Sequence, residues 1–410
     1  MVNNTYPRHR PKAERGLPAS RRHFLTVLGA AAVGLPLLGA CGTAQGGSAA
    51  ATDHRGPSGG APPRVRVSQA ARPGNGVKRT SFPITAVGLT WTGSPRGVRL
   101  RLIDRDGEPG GWQYVTAGCP CGKDAGIQRT KSATPPNRTL VPAHGTYGYQ
   151  LDVDSGVKVT EAIAIDAGRL VPERRPAPSR TPARSTPSTA PAAPAVSGPP
   201  AAPAFPPTDL VLRAAWGADE AKRLTADGRE SSPTSFSRAQ MITVHHTATP
   251  LDDPDPAATV RAIYEQHAVS NDWGDIGYNF LIDGQGLIYE GRYSGADGIA
   301  AHNTRNEVVT AFHTFGFNPG NIGIALLGDF SNEQPPPRMR DSLVRLTASL
   351  AARHELDPLA DITYRSPTSG KSATGPALGG HQDWTSTECP GSAAYLDLPE
   401  ARERAARLTG

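Results

Sequence analysis

The spacing of hydrophobic positions changes repeatedly along this 410-residue chain, and each change marks a different kind of segment. An apolar run without charged residues lies near the start, at 24–38. Between about 81 and 171, short runs alternate apolar and polar residues, as strands with one wet face do. From 208 onward, short apolar runs are mixed with helical spacing, whereas 172–207 shows neither pattern. The chain is therefore predicted to hold two folded domains joined by a linker.

The pattern from 208 onward predicts an α/β domain over 208–410. Met241–Val244 and Ile322–Leu327 are apolar runs of strand length, and the second is continuous enough to predict a central strand. Asp255-Pro256 predicts a helix start, with aspartate as the N-cap and proline in the first turn. Arg340–His354 carries leucines at helical spacing. Strands alternating with helices predict a mixed β-sheet flanked by helices.

The alternating segment at 81–171 predicts a small all-β sandwich placed before that domain. No catalytic constellation is present in it. Cys119-Pro120-Cys121 lies in a loop of this segment, where a disulfide formed outside the cytoplasm and a two-thiol metal loop are the alternatives. The predicted strands are Phe82–Trp91, Gly97–Ile103, Gly145–Val153 and Val157–Ala167.

The first residues predict export. Arg21-Arg22 precede the apolar run at 24–38, which is short for a membrane span, so 1–41 is interpreted as a twin-arginine signal peptide. Leu38-Gly39-Ala40-Cys41 is similar to a lipobox, which would anchor the chain to the membrane through a lipid on Cys41. An ordinary cleavage site with an incidental cysteine is the alternative. Residues 42–80 are rich in small residues and predict a flexible tether.

The composition of the chain indicates a linker between the two predicted domains and a class of binding partner. Proline recurs throughout 172–207, which predicts an extended spacer that gives the domain after it reach. The net charge of +6 and the pI of about 9.2 suit a polyanionic neighbour, such as an acidic cell-wall polymer or an anionic membrane. No nucleic-acid motif is present, and no nucleic-acid partner is expected.

Two short stretches carry the candidate chemistry. One is Val244-His245-His246-Thr247, where a strand delivers histidines at its end, and the other runs from His381 to Cys389. Adjacent strand residues point to opposite faces, so one histidine of the pair is expected to be a ligand. Imidazole and thiolate are both good zinc ligands, and three protein ligands leave the fourth position open, as in catalytic zinc sites. One histidine of the pair, His381 and Cys389 are therefore the candidate ligands of a Zn²⁺ site.

The C-terminal part, from about Leu210 to Leu398, resembles the type 2 N-acetylmuramoyl-L-alanine amidases and the peptidoglycan recognition proteins. The segment before it resembles, more weakly, the β-rich domain of some actinobacterial wall amidases. The motifs of the C-terminal resemblance occur in the family's order: Arg213–Gly217, Val244–Ala248, Asp275–Phe280, Gly323–Ala325 and Gly380–Gly391.

The resemblance implies a zinc-dependent hydrolase that cleaves the amide bond between N-acetylmuramic acid and L-alanine in peptidoglycan. It implies His245, His381 and Cys389 as zinc ligands, Tyr278 and Thr387 as catalytic residues, and His246 and His302 as substrate-binding residues. His267 is predicted to lie at the edge of the core, and His313 and His354 on the surface or in loops. The rival functions are a peptidoglycan-binding receptor of the same fold and a wall-tethered scaffold.

Overall fold

A computed structural model describes most of the chain after the predicted tether. The predicted signal segment, Cys41, the loop with Cys119 and Cys121 and nearly all of the proline-rich linker lie outside the described residues. In the part of the chain that is described, no helix is long and apolar enough to cross a membrane. The described residues are 62–70, 73–115, 117, 136–169 and 204–409.

The first described segment forms a six-stranded antiparallel sheet, which we call the β module. Its strands lie in the order β1-β6-β2-β5-β3-β4. One face buries a core that includes Trp91, Leu100 and Tyr149. The strands are β1 (Arg66–Gln69), β2 (Val77–Thr92), β3 (Val98–Ile103), β4 (Gln113–Tyr114), β5 (Asn137–Val153) and β6 (Lys158–Asp166).

The predicted two-sheet sandwich is corrected by this topology. All six described strands of the module belong to one sheet. The two longest strands, β2 and β5, pair with register shifts between Arg79 and Ile84 and between Ile84 and Ala86. Such irregularities bend and twist a sheet. Among the described residues, a single sheet with long, bent strands therefore covers this core.

The C-terminal segment forms the predicted α/β fold. Four further short strands lie in sequence between strands of the main sheet and form two separate pairs, β8 with β12 and β14 with β15. A π-helical turn, Gln266–Ser270, continues the second helix. The elements are β7 (Leu210–Val211), α1 (Arg213–Trp216), β8 (Phe236–Ser237), β9 (Met241–His246), α2 (Pro256–Glu265), β10 (Phe280–Ile282), β11 (Ile288–Glu290), β12 (Val308–Val309), β13 (Asn321–Leu326), α3 (Pro337–His354), β14 (Asp361–Arg365), β15 (Ser372–Pro376), β16 (Leu378–Gly380) and α4 (Ser392–Thr409).

The main sheet is mixed and has the order β16-β9-β13-β10-β11-β7, so the predicted central strand β13 is confirmed. Only the β10–β11 pair in it is antiparallel. Alternate residues face opposite sides: Ile324 packs in the core that α3 covers, and Ala325 packs in the core that α2 covers. The predicted cap of α2 is also present, since the Asp255 carboxylate accepts a hydrogen bond from the Ala258 N–H at 3.0 Å.

The Arg213–Gly217 motif at the start of this domain is structural. The Arg213 guanidinium is 4% exposed and contacts the carboxylates of Asp275 at 3.1 Å and Glu220 at 2.8 Å. Trp216 is fully buried and donates its indole N–H to the carbonyl of Glu290 at 2.8 Å. A buried arginine needs such partners, because an unpaired charge is costly away from water. The motif therefore ties the domain's first helix to β11.

Candidate metal centre

Two parallel strands place two histidines side by side. His245 lies near the end of β9, and His381 directly follows β16. In the register of this pair Gly380 lies opposite Val244, so the residues that follow each of them, His381 and His245, are neighbours at the carboxyl ends of both strands. Their ring centroids are 4.6 Å apart. The side of the sheet on which His245 lies is the side that packs against α2, because Ala325 opposite it belongs to that core.

A short hydrogen-bonded loop returns Cys389 to the same point. The Gln382 N–H donates to the carbonyl of Cys389 at 2.9 Å, and the Cys389 N–H donates to the Thr387 hydroxyl at 3.2 Å. The Cys389 Sγ lies 3.6 Å from His245 Nδ1 and accepts the N–H of His246 at 3.4 Å. The thiol is 2% exposed and is not part of a disulfide. The loop therefore turns a buried sulfur toward the imidazole of His245.

The ligand atoms of His245, His381 and Cys389 all lie within 4.8 Å of one another. Burial and the neighbouring imidazoles lower the pKa of His245 well below its ordinary range, and burial lowers the pKa of His381 to about 3. Both rings are thus neutral, the state in which imidazole binds a metal. Burial raises the pKa of Cys389 to about 12, and a bound cation would reverse this cost by stabilising the thiolate. The donor set fits a zinc ion.

Another histidine, His313, determines which nitrogen of His245 faces this cluster. His313 Nε2 lies 3.2 Å from the carbonyl oxygen of Asn321, which only accepts, so Nε2 carries the proton. Burial lowers the pKa of His313 to about 4, so the ring is neutral and its Nδ1 is an acceptor. His313 Nδ1 lies 3.0 Å from His245 Nε2, which must then donate. The lone pair of His245 Nδ1 is left on the side of Cys389, as a metal ligand requires.

The sequence predicts His313 on the surface or in a loop; it does lie in the loop before β13, but its side chain is buried and 0% exposed. Its segment has no periodicity that would report burial. The signal lies in β13 instead, at Gly323: a Cβ added there would come within 2.5 Å of the His313 ring. A glycine inside a continuously apolar strand marks close approach by another group. Gly323 therefore makes room for the imidazole that orients His245.

Tyr278 lies beside the cluster as predicted. It precedes β10, is 4% exposed, and its ring centroid is 5.5 Å from that of His245. Its backbone carbonyl accepts the N–H of Arg292 at 2.8 Å, which holds the segment in place. Burial, and secondarily the charge of Cys389, raise the pKa of Tyr278. The phenol consequently keeps its proton at neutral pH and can donate a hydrogen bond.

His246 and Thr387 have contacts that define their positions. His246 Nδ1 accepts the N–H of Phe330 at 3.2 Å and lies 3.7 Å from the Asp329 carboxylate, so its ring turns away from the cluster, as alternation predicts. Thr387 is half-buried, and its hydroxyl accepts the N–H of Cys389. This contact supports a role for Thr387 in positioning Cys389. The catalytic role of Thr387 and the substrate-binding role of His246 stay predictions.

The prediction for His302 is wrong. Its ring is 0% exposed, stacks on His354 with centroids 4.9 Å apart, and has its Nε2 at 2.8 Å from His354 Nε2. Phe205 packs edge-on against it at 5.1 Å. These neighbours cover His302 completely, so it does not line a substrate groove. His354, predicted to lie on the surface or in a loop, is instead the last residue of α3 and is buried.

Two cavities border the site. A small one of about 40 Å³ lies between Tyr278, Thr247 and His267. The His267 ring packs against Trp273, with ring centroids 4.6 Å apart, and its Nδ1 accepts the N–H of Gly277, so its predicted place at the core's edge is confirmed. A second cavity of about 420 Å³ is lined by Asp252, Asp329 and Glu333 among others. Thr249 lines both cavities, which makes them neighbours along one surface.

Comparison of the amino-acid sequence with known proteins identifies the family that it matches. A family model described as Amidase_2, N-acetylmuramoyl-L-alanine amidase, matches residues 235–392. Peptidoglycan-recognition protein SC1a/b of Drosophila simulans is 31% identical over 191 residues, which cover 46% of this chain and 83% of that protein. An N-acetylmuramoyl-L-alanine amidase of Homo sapiens is 30% identical over 156 residues, which cover 37% of this chain and 22% of that protein.

A further relative is known both as a sequence and as a solved structure. Peptidoglycan-recognition protein LB of Drosophila melanogaster is 29% identical over 192 residues, which cover 46% of this chain and 67% of that protein. The solved structure of wild-type Drosophila PGRP-LB is 28% identical, covers 46% of this chain and 91% of that chain, and has a TM-score of 0.34.

Proposed function

We propose that this chain, which belongs to the family of N-acetylmuramoyl-L-alanine amidases and peptidoglycan-recognition proteins, hydrolyses the amide bond between N-acetylmuramic acid and L-alanine in peptidoglycan. The convergence of His245, His381 and Cys389 within 4.8 Å, next to the protonated phenol of Tyr278, carries the proposal. The export predicted from Arg21-Arg22 would bring the chain to this polymer.

The proposed cofactor is Zn²⁺, held by His245, His381 and Cys389. When bound, zinc supplies Lewis-acid chemistry, polarising the amide carbonyl and lowering the pKa of water. The residues around it do the rest. His313 holds His245 in the ligating tautomer, and Thr387 holds the backbone of Cys389. Tyr278 donates a hydrogen bond from its phenolic O–H to the amide oxygen, which gains negative charge as the carbonyl is attacked.

The test uses the full chain and soluble muropeptides. Protein stripped of metal by a chelator is compared with the same protein after one equivalent of zinc is restored. We expect the zinc-restored protein to add one water across the amide and release a glycan with a lactyl carboxylate and a peptide with a free L-alanine amine, both identified by mass. Metal-free protein should release neither. Muropeptides that bind the zinc-restored protein and stay intact would contradict the amidase and identify a receptor.

His313 provides a prediction about metal affinity that does not depend on turnover. In His313→Phe the ring volume is kept but the acceptor for His245 Nε2 is lost, so the zinc dissociation constant should rise about 10- to 100-fold. His313→Asn should recover part of the affinity, because its amide oxygen can accept that hydrogen bond. Competition with a chromophoric chelator measures both.

The matched control for His313 is His354→Phe, which removes another buried imidazole away from the cluster. Its zinc affinity should equal that of the wild type. Wild-type affinity in His313→Phe would show that the orientation of His245 is set by other contacts.

A further inference from the structure

The β module and the α/β domain share one hydrophobic core. Leu140 of β5 and Ile163 and Ile165 of β6 belong to the same buried cluster as Ala262 and Ile263 of α2. Their approach is close at Gly88 of β2: a Cβ there would lie 2.7 Å from Ile163 and 3.2 Å from the Gln266 amide nitrogen. Burial of this apolar area fixes the module against the helix. The β module and the α/β domain are therefore in contact, and the spacer role predicted for 172–207 stays a prediction.

Buried polar contacts add orientation to this packing. The Arg261 side chain, 1% exposed, donates through Nε to the carbonyl of Ala167 at 2.8 Å and through Nη2 to that of Gly168 at 2.7 Å. Its Nη1 donates to the carbonyl of Trp216 at 2.8 Å. The Gln266 amide donates to the carbonyl of Thr139 in β5 at 2.7 Å. Hydrogen bonds from the middle of α2 and from the residue that ends it thus hold the module in one register, because each buried donor would be costly to leave unpaired.

This docking brings the start of β5 to the candidate metal centre. Arg138, Thr139 and Leu140 line the 40 Å³ cavity on one side, and Thr247 and Tyr278 line it on another. His267 also lines this cavity. Burial, and secondarily the charge of the nearby Arg138 guanidinium, lower the pKa of His267 to about 3. Arg138 from the β module and Tyr278 from the α/β domain thus line the same cavity.

We propose that the β module is one wall of the substrate cleft, and that Arg138 binds a carboxylate of the stem peptide beside Tyr278. The proposal rests on the amidase function stated above and adds a specificity-determining residue from outside the α/β domain. A guanidinium matches a carboxylate because its N–H donors form a planar fork, and such charge-assisted bonds are stronger than neutral ones. The stem peptide presents carboxylates, and their conversion to amides removes the charge but little of the shape.

The test compares two muropeptides that differ only in whether the stem carboxylates are free or amidated. Wild-type full chain should cleave the carboxylate form with about tenfold higher kcat/KM. Arg138→Gln should lose this preference through a higher KM for the carboxylate form, with kcat nearly unchanged. Arg138→Lys should retain part of the preference, since it keeps the charge without the fork. The matched control is Arg96→Gln, an exposed arginine in the β2–β3 turn, which should behave as wild type.

Calorimetric titration of metal-free protein with both muropeptides measures the difference in affinity between the carboxylate and the amidated form without turnover. A failure of the proposed amidase activity can therefore be distinguished from a failure of this proposal. Wild-type protein that binds both forms equally would overturn the proposal, as would Arg138→Gln with an unchanged preference. An equal loss for both muropeptides in Arg138→Gln would also overturn it, because that result assigns Arg138 to the shape of the wall and not to the carboxylate.

Discussion

Cys389→Ser should bind much less than one equivalent of zinc and lower the rate of muropeptide hydrolysis by at least about 1000-fold. Cys389 is one of three side chains whose ligand atoms converge, and the serine hydroxyl ionises far less readily than a thiol, so it cannot replace the anionic ligand. The fold should survive, because a hydroxyl at this position can accept the N–H of His246 that Sγ accepts now. Elemental analysis of the purified protein and product masses measure the two effects.

The matched control for Cys389 lies in the same loop. Ser386 is exposed, and Ser386→Ala should leave both zinc content and rate unchanged. A thermal unfolding midpoint within a few degrees of wild type would show that Cys389→Ser acts on the metal site and not on the fold. Full zinc occupancy and full activity in Cys389→Ser would refute both the ligand assignment and the proposed chemistry.

The metal cluster could be predicted because its residues sit at element ends that local pattern reveals. A short apolar run ending in His245 predicts a strand, and alternation allows one histidine of the pair to face the site, as the structure shows. The link between His245 and the His381–Cys389 loop came from resemblance to a family, since spacing alone does not pair strands that lie far apart in sequence. The parallel register of β9 and β16 supplies the physical basis for that link.

The other histidines could not be placed from local pattern, because their environments are made by residues distant in sequence. His302 is covered by His354, 52 positions later, and by Phe205, nearly a hundred positions earlier. His313 is held by Asn321 and fits above Gly323 in a strand that follows it. In each case the sequence shows a polar residue in a loop, while tertiary contacts determine whether that loop is buried.

The apolar pattern of β6 indicates that the β module packs against another part of the chain, although the proline-rich linker suggested separated modules. Ala162 to Ile165 in β6 is apolar at every position, a pattern that indicates a strand buried on both faces. The structure confirms this burial: Ala164 packs in the module's own core and Ile165 in the core shared with α2. A proline-rich linker predicts an extended path but does not set the distance between its ends. The second buried face of β6 was therefore the better guide to how the modules pack.

Tyr278→Phe should lower kcat for muropeptide hydrolysis about 100- to 1000-fold while KM and zinc content stay near wild type. The phenol is protonated at neutral pH, and its hydrogen bond strengthens only as charge develops on the amide oxygen, so its loss is felt in the transition state more than in binding. Because the residue is 4% exposed and the ring is retained, packing against His245 should persist. Steady-state kinetics of the zinc-loaded variant measure the effect.

Tyr264→Phe is the matched control for this hydroxyl. Tyr264 belongs to the same buried cluster, and its hydroxyl donates to the carbonyl of Asp219 at 3.0 Å. Removing it should cost about 1 kcal/mol of unfolding free energy and leave kcat unchanged. A kcat for Tyr278→Phe as high as that of Tyr264→Phe would show that Tyr278 only packs in the core. Its strand-like sequence context alone predicts that structural role. A selective loss in Tyr278→Phe would instead assign its hydroxyl to the reacting amide.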